Sequence, residues 1–204
     1  MNIKDLTFKD IPIICDIHIK SFPMSIFSQL GKSVVEKYYE WLFYGPHESL
    51  NVGIFIDAKL IGYCFGGKFN GALSGCVKRN KAFLLIKLLS KPHLVFSINF
   101  MSKLIVLIKD NLPKYLKKRQ KKKQDYNYST SFAILAIAVH SESRAKGVGK
   151  MLMDYSEQYA GINSYDSMHL SVNTANEVAI NFYVKCGWNI LTTTEKNTVM
   201  IKRI

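Results

Sequence analysis

The hydrophobic positions of this chain keep two rhythms, and the change between them marks most of its elements. Phe132-Ala-Ile-Leu-Ala-Ile-Ala-Val139 is apolar at every position, the pattern of a strand buried on both faces. Beyond it, Val148, Met151, Leu152, Tyr155 and Tyr159 recur at helical spacing and predict a helix over 148–160, closed by Gly161-Ile-Asn163. Met168-His-Leu-Ser-Val172 reads as the next strand. Helical spacing returns after Asn173, with Gly187 suited to the C′ position, and two short runs around Glu195-Lys196 form a closing hairpin.

The N-terminal half carries the same signals. Residues 2–8 read as a short strand, and Asp10 with Pro12 opens a helix that turns Ile14, Ile17 and Phe22 inward. Ser33 with Glu36 forms a capping box for a second helix, whose core side is Val34, Val35, Tyr38, Trp41 and Leu42. Gly45-Pro46 ends it. Two β-rich runs within Asn51–Phe65 flank a polar turn near Asp57-Ala58-Lys59, a hairpin signal. Gly62, early in the second run, suits a backbone packed closely on its neighbour.

The stretch 69–130 has another character. Gly71, Gly75 and Asn80 fall in its opening loop. Two helical candidates, 80–90 and 93–111, are separated by Lys91-Pro92. The second is apolar on most sides, so it needs a partner: the rest of the chain, a second subunit or lipid. Its apolar run is about 15 residues with Lys103 inside, short of the roughly 20 that span a bilayer. A basic run, Lys114–Lys123, follows. Lys78–Lys123 holds fourteen Lys and Arg against the single acid Asp110, while the remaining 14 basic and 14 acidic residues cancel, so the net charge of +13 belongs to this stretch. An apolar helix beside cations fits an anionic membrane surface. It equally fits a hairpin that packs on the chain or dimerises. Nucleic acid is the weaker reading, because no recognition motif accompanies the lysines.

Composition narrows the class. With 204 residues and 48% apolar content the chain is globular, read here as one domain over 1–204 with an insertion at about 69–130. Charges at Lys4, Asp5, Lys9 and Asp10 leave no room for a signal peptide's apolar stretch. Cys15, Cys64, Cys76 and Cys186 lack metal-ligand spacing and read as free thiols in a reducing cytoplasm, with no metal expected.

Candidate chemistry lies between the apolar strand and the 148–160 helix, in Val139-His-Ser-Glu-Ser-Arg-Ala-Lys-Gly-Val-Gly-Lys150. A glycine-containing strand-to-helix loop turns several N–H groups toward one point, a site for phosphate or pyrophosphate. A Walker A loop needs glycine where Arg144 stands and Ser or Thr where Met151 stands. A dinucleotide fingerprint needs glycine at Leu152. What remains, Arg144-x-x-Gly147-x-Gly149, resembles the coenzyme A loop of the GNAT N-acetyltransferase superfamily. Asn173–Trp188 strengthens this: Asn176, Ala179, Phe182, Tyr183, Gly187 and Trp188 resemble the second superfamily motif, one helix and one strand downstream as expected. The resemblance is specific over 132–204, weaker over 1–68 and absent from 69–130.

The resemblance implies an α/β (α+β) fold with a mixed central sheet flanked by helices. It implies direct acetyl transfer from acetyl-CoA to an amine. Backbone N–H groups of Arg144, Ala145, Lys146, Gly147, Val148, Gly149 and Lys150 would hold the pyrophosphate, and the strand edge at Ile137, Ala138 and Val139 would pair with the pantetheine amides. The two strands there would splay apart, and a backbone N–H would polarise the thioester carbonyl. Asn176 would bond the cofactor arm, and Tyr183 would protonate the leaving thiolate.

One part of the pattern is missing: the strand that often carries a glutamate base reads Ala-Ile-Leu-Ala-Ile-Ala. His18, Glu40 and His140 are the candidates elsewhere, beside a water chain or direct capture of the free amine. The leading acceptor is a small amine, an amino sugar included, and the alternative is a protein or peptide amine. A non-catalytic reading keeps the fold as a binding module that works through its insert. The expected location is the cytoplasm, peripheral at the membrane's inner face if the insert meets lipid.

Overall fold

The computed structural model describes residues 1–97, 100, 101, 104 and 130–204. The chain divides into two compact units, one formed by Phe8–His47 with Asn70–Tyr126, the other by Met1–Thr7, Glu48–Phe69 and Asn127–Ile204.

The first unit is helical. A 3-10 turn at Phe8–Asp10 runs into α1, Ile11–Ser21. Asp10 occupies the N-cap, but its own backbone is already helical (φ −86, ψ −11) and its side chain makes no cap bond. A short helix the sequence signals missed, α2, spans Ile26–Leu30; the Ser25 hydroxyl caps it by accepting from the Ser28 N–H at 3.0 Å. Helix α3, Lys32–Tyr44, starts from Gly31 rather than from the expected Ser33. Gly31 ends α2 and opens α3 in one step at φ +113, a conformation a serine avoids, so Ser33 falls inside the first turn and its box does not form. Ile14, Ile17, Val34, Val35, Tyr39 and Leu42 fill the core of this unit.

Helix α4, Ala72–Arg79, forms where the sequence suggested an opening loop. Gly75 explains its close approach: a Cβ there would stand 2.2 Å from the Trp41 ring. Helix α5, Lys81–Leu89, matches the expected 80–90 helix, and Pro92–Val95 forms α6. The expected 93–111 helix lies mostly outside the described residues, and the Lys114–Lys123 run lies wholly outside them. No helix among the described residues is long and apolar enough to cross a membrane.

The second unit is a seven-stranded sheet with two helices. Its strands are β1 Asn2–Asp5, β2 Glu48–Ile56, β3 Lys59–Lys68, β4 Ser131–Val139, β5 Ser167–Asn173, β6 Asn189–Thr193 and β7 Asn197–Arg203, in the spatial order β1-β2-β3-β4-β5-β7-β6. All neighbours are antiparallel except β4 and β5. A parallel pair needs a crossover, supplied by α7, Val148–Ile162. Helix α8, Glu177–Lys185, links β5 to the closing hairpin. It ends as Gly187 suggests: the Gly187 N–H donates to Val184 O (2.9 Å) and the Trp188 N–H to Tyr183 O (3.0 Å), the two bonds of a Schellman cap.

Asp57 and Ala58 turn the β2–β3 hairpin with φ of 47 and 64, the backbone of a two-residue type I′ loop. Gly62 lets α7 settle on β3, since a Cβ there would meet Val148 at 2.9 Å and Leu152 at 3.3 Å. Both side chains join the core with Phe132, Met153, Met168 and Trp188. The N-terminus of α7 is thereby pinned against β3 and β4, where the candidate loop begins.

Candidate active site

Two irregularities in β4 shape the site. The β3–β4 ladder pairs Phe65 with Ala136 and Gly66 with Ile134, so Leu135 is an extra residue, a bulge. On the other side β4 pairs with β5 only as far as Ile134 and Leu170, although β4 runs on to Val139 and β5 to Asn173. The two strands part where the bulge bends β4. One edge of β4 over Leu135–Val139 therefore has no β5 partner, while β3 still pairs with its other edge up to Val139. A cleft open between parallel strands offers backbone N–H and C=O groups to an extended amide-bearing ligand. Ile137, Ala138 and Val139 lie on this stretch, Ala138 buried and the other two half-buried.

The loop after Val139 turns through Ser141–Ser143, where the Ser143 N–H donates to His140 O at 2.9 Å. Ala145 then takes φ +58 and Gly147 φ +79. Two left-handed residues so close together bend the chain sharply just before the helix starts. Gly147 caps α7, with no side-chain cap bond and no acid in the first turn. The first bond inside α7 runs from the Met151 N–H to Gly147 O (3.0 Å), so the N–H groups before it have no acceptor within the helix. A Cβ on Gly147 would meet nothing within 4 Å. An uncapped helix start with its dipole, left-handed kinks and clear space is a fit for the pyrophosphate of acetyl-CoA.

Side chains around the loop are mostly exposed. The Arg144 Nε donates to Val139 O (3.3 Å), holding the loop back on the strand, and Lys146 lies exposed. The Lys150 ammonium pairs with Asp154 one turn on, which holds it charged.

The second motif meets the first directly. A Cβ on Gly149 would lie 3.4 Å from the Phe182 ring and 3.9 Å from Val139. Tyr183, next in α8, is 8% exposed, with the Phe182 and Trp188 rings at 5.3 and 6.1 Å. Burial pushes its phenol above the ordinary value, helped by the neighbouring Cys64 and Cys186. It is a protonated donor at any physiological pH, and among the described residues its hydroxyl makes no hydrogen bond. Asn176 caps α8, its Oδ1 accepting from the Ala179 N–H at 3.2 Å. That oxygen is engaged by the helix, leaving the side-chain NH2 for a ligand.

Of the candidate bases, His18 and Glu40 fall in the helical unit and His140 in the sheet unit. His18 is buried, its Nδ1 2.8 Å from the Tyr39 hydroxyl, and desolvation lowers it to about 4. Glu40 pairs with Lys37 at 2.7 Å and lines a cavity of about 210 Å³ in the helical unit, with Trp41, Tyr44, Arg79 and Asn80. His140 has its Nδ1 3.9 Å from the Glu142 carboxylate. Sequence reasoning overlooked His169, whose Nδ1 lies 2.7 Å from the Ser131 hydroxyl across β4 and β5. Ser131 starts β4 at the paired end, so this pair ties the strands together away from the cleft. The left-handed turn at Ala145 and the bulge at Leu135 were also missed, since neither residue type signals such a backbone. No group of three or more His, Cys, Asp or Glu suited to a metal occurs among the described residues.

Comparison with known proteins agrees with this geometry. Residues 120–188 match the family model described as the acetyltransferase (GNAT) family. No curated protein matches the sequence. Among solved structures, the PaiA N-acetyltransferase of Thermoplasma acidophilum in complex with coenzyme A is similar at 15% identity and TM-score 0.58, over 100% of this chain and 98% of that one. The ribosomal-protein-S18-alanine N-acetyltransferase of Escherichia coli is 16% identical, with TM-score 0.56 over 100% and 93%. Ard1 of Thermoplasma volcanium is 18% identical, with TM-score 0.58 over 100% and 97%. The loop, the parted strands and the second motif all fall within residues 120–188, the stretch over which the chain is similar to the GNAT acetyltransferase family, and the fold as a whole is that of the N-acetyltransferase structures.

Proposed function

We propose that this protein transfers the acetyl group of acetyl-CoA directly to the amine of a small acceptor, an amino sugar being one such class. The observation that carries the proposal is the cleft between β4 and β5, opening beside the uncapped start of α7. In this reading the N–H groups of Ala145–Lys150 bind the pyrophosphate, the Arg144 N–H being engaged by Ser141 O at 3.3 Å, and the free β4 edge at Ile137–Val139 pairs with the pantetheine arm. The Asn176 NH2 steadies that arm. The amine nitrogen attacks the thioester carbonyl, the C–N bond forms and the C–S bond breaks. Tyr183 gives its proton to the departing sulfur, and the proton lost by the amine reaches Tyr183 through solvent. Burial raises the phenol's pKa, but the same dry surroundings raise the basicity of the thiolate, so the transfer stays feasible.

A second acceptor class, a protein or peptide N-terminus, draws support from the Escherichia coli neighbour, whose name states that it acts on a ribosomal protein alanine. The four cysteines are free and buried, which supports work in a reducing compartment such as the cytoplasm.

The test is acetyl-CoA turnover, read as released thiol, against amines, amino sugars and peptides. A small-amine enzyme turns over on the first two and not on peptides. Tyr183→Phe should lower kcat by about a hundredfold or more while coenzyme A affinity stays within about twofold. Unchanged kcat sinks the acid assignment, and turnover on peptides alone replaces the acceptor class.

A further inference from the structure

Helix α5 wears its apolar face outward. Ala82, Leu85, Ile86 and Leu89 share one side of the helix at spacings of three and four, and that side is the exposed one: Leu85, Ile86 and Leu89 are 57%, 64% and 70% accessible. The other side, with Phe83, Leu84 and Leu88, is only half-buried, and no residue of α5 is buried. Just past α6, Phe96 is 85% exposed, and on α4 Leu73 is 48% exposed. Helices of globular proteins turn such a stripe to the core, so an outward one marks a docking surface.

Charge decides what docks. Lys78, Arg79 and Lys81 stand at the N-terminal end of α5, and none forms an ion pair among the described residues. No Asp or Glu occurs between Asp57 and Asp110, and the whole chain carries +13. A second copy would set this acid-free cationic face against its own twin, and like charges repel. An anionic lipid surface meets both halves of the pattern, giving phosphates to the cations and an acyl boundary to Leu85, Ile86 and Leu89. We propose that this face of α5 rests on an anionic membrane surface, with its apolar side chains in the acyl boundary and Lys78, Arg79 and Lys81 on the headgroups. The helix lies along the surface; at nine residues it does not cross it.

Co-sedimentation of the full chain with vesicles tests this, comparing phosphatidylcholine alone with phosphatidylcholine mixed with phosphatidylglycerol. Binding should appear on the mixed vesicles only and weaken with salt. Leu85→Ser/Ile86→Ser/Leu89→Ser should lower partitioning about tenfold or more, and Lys78→Gln/Lys81→Gln about thirtyfold, because two cations no longer face the headgroups. Acetyl-CoA turnover and the melting temperature of the serine variant should match the parent, because its altered side chains are exposed. Absence of vesicle binding overturns the proposal. So does binding that survives the serine substitutions, or equal binding to phosphatidylcholine alone. A dimer in sedimentation equilibrium that the serine variant abolishes would assign the face to a second copy instead.

Discussion

Gly147 gives the sharpest separation between a loop that only folds and a loop that binds. Its φ of +79 is left-handed, and a Cβ built there meets no atom within 4 Å. Gly147→Ala thus costs the fold only backbone strain, about 1–2 kcal/mol. For a chain of this size that is a drop of roughly 2–8 °C in melting temperature. The empty space counts differently once pyrophosphate occupies it. A methyl there displaces the anion from one helix-start N–H, and a charge-assisted bond of this kind contributes roughly 1.5–3 kcal/mol. Coenzyme A affinity should then fall about ten- to a hundredfold, which calorimetric titration measures beside the melt of the ligand-free chain. Ala145→Gly is the counterpart. At φ +58 it relieves strain that glycine does not feel, and the free chain should gain roughly 0.5–1 kcal/mol with its affinity for coenzyme A retained. If Gly147→Ala binds coenzyme A like the parent, the pyrophosphate does not sit at this turn. If it unfolds the free chain, the space is not open and the strain argument fails.

Three further outcomes follow from buried groups. His18 is lowered from 6.5 to about 4 by burial, so the unfolded chain takes its proton first and stability falls as pH drops below 6.5. By pH 5 this group alone costs about 2 kcal/mol, read as the part of the parent's acid sensitivity that His18→Asn removes; equal pH profiles for the two would refute it. Lys202 donates to Glu157 Oε2 and to Cys186 O, each at 2.7 Å, so Lys202→Met strands a partly buried carboxylate and a helix-end carbonyl. Urea unfolding should show a loss of about 2–3 kcal/mol, partly recovered by adding Glu157→Gln; a loss under about 0.5 kcal/mol would show the pair to be idle. Burial pushes the Cys15 and Cys64 thiols up to about 12 and Cys76 to about 11. An aromatic disulfide reagent should therefore modify the four cysteines quickly only in denaturant, which keeps the released-thiol assay clean; fast labelling of the native chain would contradict their burial.

Some of this was written in the sequence. The buried strand at Phe132–Val139, the turn at Asp57-Ala58, the Gly187 cap and the glycine spacing of the loop depend on a few adjacent residues, and a few adjacent residues encode them. The two motifs that resemble the acetyltransferase family are of this kind, for Gly147, Gly149 and the Asn176–Trp188 segment each act through local backbone or one helix face. The apolar side of α5 could likewise be read, but not the direction in which it points.

Other features needed the assembled fold. Gly31 displaced Ser33 as the cap of α3 only because α2 ends against it. The Leu135 bulge, the parting of β4 from β5 after Ile134 and Leu170, and the burial of Tyr183 each depend on strands and helices far along the chain. The sequence by itself determined that a glycine-containing turn stands between an apolar strand and a helix, because backbone conformation there is set by neighbours in the chain. Only tertiary structure decided that a cleft opens beside that turn, that the Phe182 ring meets Gly149 there and that the Tyr183 phenol is desolvated. Strand pairing and burial are set by contacts that chain order does not record.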